Sequence, residues 1–202
     1  MAITINGSGT ITGISTGGLP DGTVDADTLA ANAVTTAKIG YNGAILQVQT
    51  AVKSNTSSVT GYSWTDTGLS VSITPVAASS KILVLADMNI GGNNMFDVKL
   101  RLLRGTTAIG LGDAVGSRPQ ATRVTNFYIG SGDSQYVQAP TTIIYLDEPT
   151  YTLTDSITYK VQFATYDTNI AYLNRSSSNQ ADTSNEYNGT PASFITVMEV
   201  SD

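Results

Sequence analysis

Between Ser156 and Ala164 the chain alternates without a break. Ile157, Tyr159, Val161 and Phe163 fall on one side of an extended backbone, and Thr158, Lys160 and Gln162 on the other. Successive side chains of a strand point to opposite faces, so this period of two predicts a strand with one face on a core and one on water. Val98, Leu100 and Leu102 repeat the pattern against Lys99 and Arg101. Runs of this kind recur over residues 44–202: Ala44–Val52, Gly61–Trp64 with Leu69–Ile73, Lys81–Ile90, Phe96–Arg104, Thr107–Leu111, Thr122–Ile129, Thr141–Leu146, Ser156–Ala164, Ile170–Leu173 and Ser193–Val200. Turn formers separate them, among them Gly91-Gly92-Asn93-Asn94, Arg104-Gly105, Gly130-Ser131-Gly132-Asp133, Asp147-Glu148-Pro149 and Asn188-Gly189. About ten short, irregularly connected strands in one domain predict an all-β fold, a jelly-roll β-sandwich.

Two runs depart from clean alternation. Ile82-Leu83-Val84-Leu85-Ala86 and Phe194-Ile195-Thr196-Val197-Met198-Glu199-Val200 are apolar on both sides. A two-sheet sandwich buries only the inner face of each sheet. The outward parity then needs a second cover, either another part of the chain such as Ala44–Val52 or a neighbouring subunit. The subunit is the reading adopted, with Leu83, Leu85, Ile195 and Val197, or their strand neighbours, at the interface. The parity that faces the partner is left open.

Residues 1–43 form a second region, an extended attachment or stem segment. It holds no aromatic residue before Tyr41 and is rich in Gly, Thr and Ala. Ile3-Thr4-Ile5 and Ile11-Thr12-Gly13-Ile14 flank Asn6-Gly7, a hairpin-type turn signal. Val24, Leu29, Val34 and Ile39 then recur every five residues, which fits neither a helix nor a strand. A short helix capped by Asp25 or Asp27 and a repeating stem both remain open. The isolated apolar residues Ile3, Ile5, Ile11, Ile14, Leu19, Val24, Leu29, Val34 and Ile39 are the candidate attachment points. Fixing a backbone costs about 1–2 kcal/mol per residue, while burying a branched side chain returns about 1.5–3 kcal/mol. Nine such side chains do not offset the ordering of the whole segment, so it is expected to dock on a partner or on copies of itself.

Composition excludes several kinds of chemistry. The chain has neither His nor Cys, which removes the usual neutral-pH base, the thiol nucleophile, the commonest metal ligands and any disulfide. Acidic residues are scattered and mostly in turns, with no pair on one strand face, so no catalytic residue is assigned and no enzyme is expected. The densest acidic group, Asp21, Asp25 and Asp27, lacks the spacing of a calcium loop. No metal or cofactor is expected. The net charge is −6 and Lys and Arg form no run, so nucleic acid is not an expected partner. No apolar run approaches the roughly 20 residues that span a bilayer, and Met1–Ile14 does not read as a signal peptide. Four N-x-S/T sequons occur, at Asn6, Asn55, Asn174 and Asn188, and read as chance in an Asn/Ser/Thr-rich chain.

Tyr outnumbers the other aromatics, 10 against 4 Phe and 1 Trp. Tyr145 and Tyr159 lie on alternating strands and are expected in the core. Tyr136, Tyr166, Arg175, Asn179 and Tyr187, in loops, are the candidate surface-recognition residues, suited to a host surface glycan or a polar protein surface.

The stretches Ile3-Thr4-Ile5-Asn6-Gly7-Ser8-Gly9-Thr10-Ile11-Thr12-Gly13-Ile14, Gly18-Leu19-Pro20-Asp21-Gly22-Thr23-Val24 and Leu29-Ala30-Ala31-Asn32-Ala33-Val34-Thr35-Thr36-Ala37-Lys38-Ile39 resemble the N-terminal segments of tail-fibre and other virion-surface proteins of tailed phages. Ser79-Ser80-Lys81-Ile82-Leu83-Val84 and Ser193–Val200 resemble two strands of the tumour-necrosis-factor-like jelly roll that such segments join. The resemblance implies a homotrimer on the virion, assembled with other phage structural proteins in the host cytoplasm. It implies a non-enzymatic short tail fibre or knob. A capsid decoration (cement) protein is the alternative, favoured by the shortness of the segment before the sandwich. A polysaccharide-active enzyme is the third reading. Deleting residues 1–20 is expected to leave the β domain folded and trimeric, as read by sedimentation, but absent from purified particles; incorporation at the wild-type level would place the anchor in the sandwich.

Overall fold

The structure, a computed structural model, describes residues 4–5, 11–12, 29, 33–34, 43–93, 97–126, 136–178 and 189–202. The chain divides into two units, Met1–Gly40 and Tyr41–Asp202. In the first, β1 (Thr4–Ile5) pairs antiparallel with β2 (Ile11–Thr12), Thr4 opposite Thr12 and Ile5 opposite Ile11. The two Ile-Thr runs thus pair with each other, while the Asn6-Gly7 turn signal between them lies outside the described residues. Of the five-residue repeat, Val24 and Ile39 lie outside the described residues, and Leu29 and Val34 are exposed.

The second unit is an all-β sandwich. Its strands are β3 (Ile45–Lys53), β4 (Ser57–Thr60), β5 (Thr65–Ile73), β6 (Lys81–Gly92), β7 (Val98–Arg104), β8 (Thr107–Ile109), β9 (Arg123–Thr125), β10 (Gln138–Asp147), β11 (Ile157–Ala164), β12 (Ile170–Leu173) and β13 (Ser193–Val200). A six-stranded sheet centres on β6. On one side β6 pairs with β10 along nearly its whole length; on the other it pairs with β13 and then β12, which continue to β3 and β4. The five-stranded sheet runs β5-β11-β7-β8, with β9 also on β7. All pairings are antiparallel.

The core lies between the sheets and is supplied by one parity of each long strand. Ile82, Val84, Ala86, Met88 and Ile90 of β6 face Leu100 and Leu102 of β7 and Tyr159, Val161 and Phe163 of β11 across it. Ile195 and Val197 of β13 are also fully buried there. Tyr159 is in the core as expected, and the half-buried Tyr145 packs against it.

Three segments differ in kind from what their residue pattern predicts. Gly61–Trp64 is a turn rather than a strand: Gly61 has φ +77°, and a Cβ there would sit 2.8 Å from the Asp167 carbonyl oxygen. Ser57–Thr60 is a strand that its polar composition hides. Gly91-Gly92 is the end of β6 rather than a turn, pairing with Tyr172 and Ala171 of β12. Here glycine serves close approach, because the Arg175 carbonyl crosses the strand 2.1 Å from where a Cβ would stand.

That crossing belongs to the buried start of the connection after β12. Asn174 is fully buried at φ +61°; its Nδ2 donates to the carbonyls of Lys53 (2.7 Å) and Asn55 (3.1 Å), and its Oδ1 accepts from the Ser193 hydroxyl. Asn174 is therefore a structural hub, and its sequon is sealed in the folded domain. Gly91→Ala is expected to destabilise the sandwich by roughly 2–4 kcal/mol in urea unfolding, whereas Gly112→Ala, whose Cβ would meet nothing, should stay within about 0.5 kcal/mol.

Candidate functional site

The two outer faces of the sandwich differ in chemistry. On the five-stranded sheet the outward positions are Asp66, Ser70 and Ser72 of β5, Thr158, Lys160 and Gln162 of β11, and Lys99, Arg101 and Leu103 of β7. They are mostly polar and cross-linked. Lys160 donates to Asp66 at 2.8 Å, Gln162 also donates to Asp66, and the hydroxyls of Ser72 and Thr158 lie 2.8 Å apart. The hydrogen bond from Lys160 holds the Asp66 carboxyl below its ordinary range.

The outward face of the six-stranded sheet is apolar. Strand register assembles it in rows. Val48 of β3 stands beside Met198 of β13, Leu83 of β6 and Leu146 of β10. The next row is Thr50, Thr196, Leu85 and Ile144, and the next Val52, Phe194, Asp87 and Thr142. Ile45 and Val200 extend it toward Lys81. The exposures are those of an uncovered surface: Ile144 67%, Val52 60%, Ile45 57%, Val48 49%, Leu146 47% and Phe194 43%. Two polar pairs interrupt the face, Thr50 with Thr196 at 3.0 Å and Thr142 with Asp87 at 3.0 Å. At its rim Lys81 bridges Glu148 (3.2 Å) and Asp202 (3.5 Å), and the bond to Glu148 raises the lysine pKa.

This geometry separates the four residues that the sequence groups as an interface. Leu83 and Leu85 lie on the outward parity of β6, half-buried among their neighbours. Ile195 and Val197 lie on the inward parity of β13 and are fully buried in the core. The corresponding outward residues are Phe194, Thr196 and Met198. Strand β3 does not cover the face but extends it in plane as an edge strand, and β10 forms the opposite edge.

Three polar pins fix the sheets beneath this surface. Asp147 of β10 accepts two hydrogen bonds from Arg104 Nη1 of β7, both 2.9 Å, and one from the Tyr159 hydroxyl of β11 at 2.6 Å. The pin joins the two sheets at a carboxylate that is 4% exposed. Burial, then the bond to Asp147, pushes the Tyr159 phenol well above its usual range. At the same end of β6, the fully buried Glu199 accepts from Gln47 Nε2 (2.6 Å), Val76 N (2.9 Å) and Ala77 N (2.9 Å), latching the β5–β6 connection to the last strand. Burial opposes its charge, but these donors outweigh it and lower its pKa. The third pin is Asn174.

Of the surface-recognition candidates, Tyr136 and Tyr166 are exposed, 42% and 52%. The Arg175 guanidinium stacks on the Tyr172 ring at 3.8 Å. Asn179 and Tyr187 lie outside the described residues, as do Ile3, Ile14, Leu19, Val24 and Ile39. Ile5 and Ile11 sit in the β1–β2 pair. The sequence missed Tyr62 and Trp64, because an aromatic-rich run beginning at Gly61 reads as strand. Tyr62 is 58% exposed and meets Tyr166 edge to face, with ring centroids 5.4 Å apart at 75°. Among the described residues no group of three or more acidic side chains could hold a metal ion, and no helix is long and apolar enough to cross a membrane.

In comparisons with known proteins, no family model and no curated sequence matches the chain.

The Glu199 latch gives a pH test. Its folded pKa lies below its unfolded one, so it adds stability above the ordinary carboxylate range and loses it as pH falls through the folded value. Glu199→Gln is expected to lower stability by roughly 2 kcal/mol at pH 7. The gap to wild type in urea unfolding should narrow steadily as the pH falls below the ordinary carboxylate range; a gap independent of pH would refute the charged latch.

Proposed function

We propose that this chain is a non-enzymatic structural protein of a tailed-phage virion, whose sandwich is a jelly-roll knob assembled as a homotrimer. The observation that carries the assembly is the apolar outer face of the six-stranded sheet, set against a polar outer face on the other sheet. Monomeric proteins rarely leave so continuous an apolar surface in water, and a surface of this kind marks an interaction site. An obligate interface would bury upward of roughly 2,000 Å².

The jelly-roll reading is supported by strand order. Taking β3, β5, β6, β7, β8, β10, β11 and β13 in sequence as first to eighth, one sheet runs first-eighth-third-sixth and the other second-seventh-fourth-fifth. That interleaving is the order produced when an antiparallel ribbon is wound into two facing sheets. Closure as a ring is supported by the edge. Apolar exposure continues from the centre of the sheet onto the edge strand β10, at Ile144 and Leu146. A cyclic trimer sets one surface of a subunit against a different surface of the next, which an apolar face running to an apolar edge provides. The virion placement is supported by the N-terminal resemblance, with residues 1–43 as the element that attaches to tail or capsid proteins and the sandwich as the exposed knob.

Sedimentation equilibrium of the full chain at about 10 μM is expected to give a trimer. Replacing the exposed Val48 and Ile144 together by Lys places charges at the face without touching the core, and should yield a folded monomer with an unchanged β-type circular dichroism spectrum. A monomeric wild-type protein would remove the assembly reading. Antibody labelling of virions against residues 44–202 tests the location: signal at the tail supports the fibre reading, and signal confined to capsid faces replaces it with capsid decoration.

A further inference from the structure

A second surface lies at the end of the sandwich where two connections cross between the sheets. The β4–β5 turn carries Tyr62 and Trp64, and the β11–β12 connection carries Tyr166. The turns are clasped by backbone: Thr165 N donates to Gly61 O at 3.0 Å and Gly61 N to Asn169 O at 3.2 Å. The two tyrosines meet edge to face while each keeps more than half of its surface in water. An edge-to-face pair fixed by its backbone is an aromatic platform whose rings need no further ordering on binding.

Beside it stands a row of planar polar groups. The Arg101 guanidinium lies 4.4 Å over the Trp64 ring. Its Nε and Nη2 donate to Gln162 Oε1 at 2.8 and 2.6 Å, and Gln162 Nε2 donates on to Asp66. A guanidinium has five N–H donors, and Nη1 of Arg101 has no partner among the described residues. The row therefore offers both donors and acceptors, held in place before any ligand arrives.

We propose that Tyr62, Tyr166 and the adjoining Trp64, Arg101, Gln162 and Asp66 form a binding site for a neutral glycan. A pyranose ring has apolar C–H faces and polar edges, so it needs an aromatic surface and, beside it, fixed hydrogen-bonding groups. A protein partner would need an exposed apolar centre; going along the sheet from the row, the outward positions are Ser70 and Lys160 and then Ser72 and Thr158, and Leu103 beside Lys160 is buried. Within the row the charge of Lys160 is taken up by Asp66, whose carboxylate also opposes an anionic ligand at contact, and the chain's charge of −6 adds to this at long range; both favour neutral sugars over sulfated and uronic polymers. The row lies on the outer face of the five-stranded sheet, opposite the apolar assembly face, so assembly through that face leaves it open. The proposal deepens the reading of the sandwich as an exposed knob and rests on it for the origin of the glycan; the geometry of the site stands without it.

Trp64 is the single tryptophan of the chain, so its fluorescence reports this surface directly. The full-length protein is titrated with short neutral oligosaccharides, β-glucan, α-glucan, mannan and galactan, and with a sulfated galactan and a polyuronate. A saturable change with a neutral sugar is expected, with Kd of about 0.1–1 mM as befits a shallow site. Tyr62→Ala and Tyr166→Ala should each weaken it about tenfold, with thermal midpoint and sedimentation unchanged, and Tyr62→Phe should retain it within about threefold. Three results would overturn the proposal: no saturable response to any neutral sugar at about 10 mM, a preference for the sulfated or uronic polymer, or full binding by the double alanine variant. Binding by a wild-type protein that sediments as a monomer would sustain the site while removing the assembly reading. A trimer blind to every neutral sugar would do the reverse.

Discussion

The antiparallel pairing of β6 with β13 sets the parity of the whole six-stranded sheet. Val84 stands opposite Val197 and Ala86 opposite Ile195, all fully buried; Leu83 stands opposite Met198 and Leu85 opposite Thr196, all facing out. Side chains alternate with a period of two, so a slip of one residue would exchange the two sets. Slippage is opposed at the end of β13. Glu199, on the inward parity, reaches a cluster of donors from Gln47, Val76 and Ala77 that no neighbouring residue could satisfy. A buried carboxylate is strongly destabilising without such partners, so the latch has one acceptable register.

The second sheet is tied to this frame by Asp147, Arg104 and Tyr159. Hydrophobic burial between sheets is non-directional and would tolerate small sliding. A charged, hydrogen-bonded pin at the edge of the core does not. Together the pins hold two outer faces at fixed positions on opposite sides of one core. The face of β3, β13, β6 and β10 is apolar and open; the face of β5, β11 and β7 is polar and ends at the Tyr62–Tyr166 platform. The proposed assembly on the first and the proposed recognition beside the second are physically compatible because neither uses the other's residues.

Much of the fold was legible in the residues. Nearly every long strand was readable, because alternation such as Ile157 to Phe163 records which side meets the core. The surplus of apolar residues at Leu83, Leu85, Phe194 and Met198 was also readable as a demand for a second cover. Other features were not. Ser57–Thr60 carries no hydrophobic pattern and becomes a strand only because β12 lies beside it. Gly91-Gly92 resembles a turn, and is strand because the Arg175 carbonyl needs the space a side chain would fill. Tyr62 and Trp64 read as strand because local propensity cannot register that Gly61 must turn the chain at positive φ.

The sequence by itself determined that this protein is all-β, that it is built from two regions, and that two of its strands are apolar on both sides. These follow from local periodicity and composition, which each residue carries with it. The tertiary structure alone decided that Ile195 and Val197 are core while Leu83 and Leu85 are surface, that Asn174 is a buried hub, and that Tyr62 meets Tyr166. The physical reason is that parity along a strand is relative. Only pairing with other strands, over separations of about a hundred residues in the chain, fixes which side of the alternation turns inward.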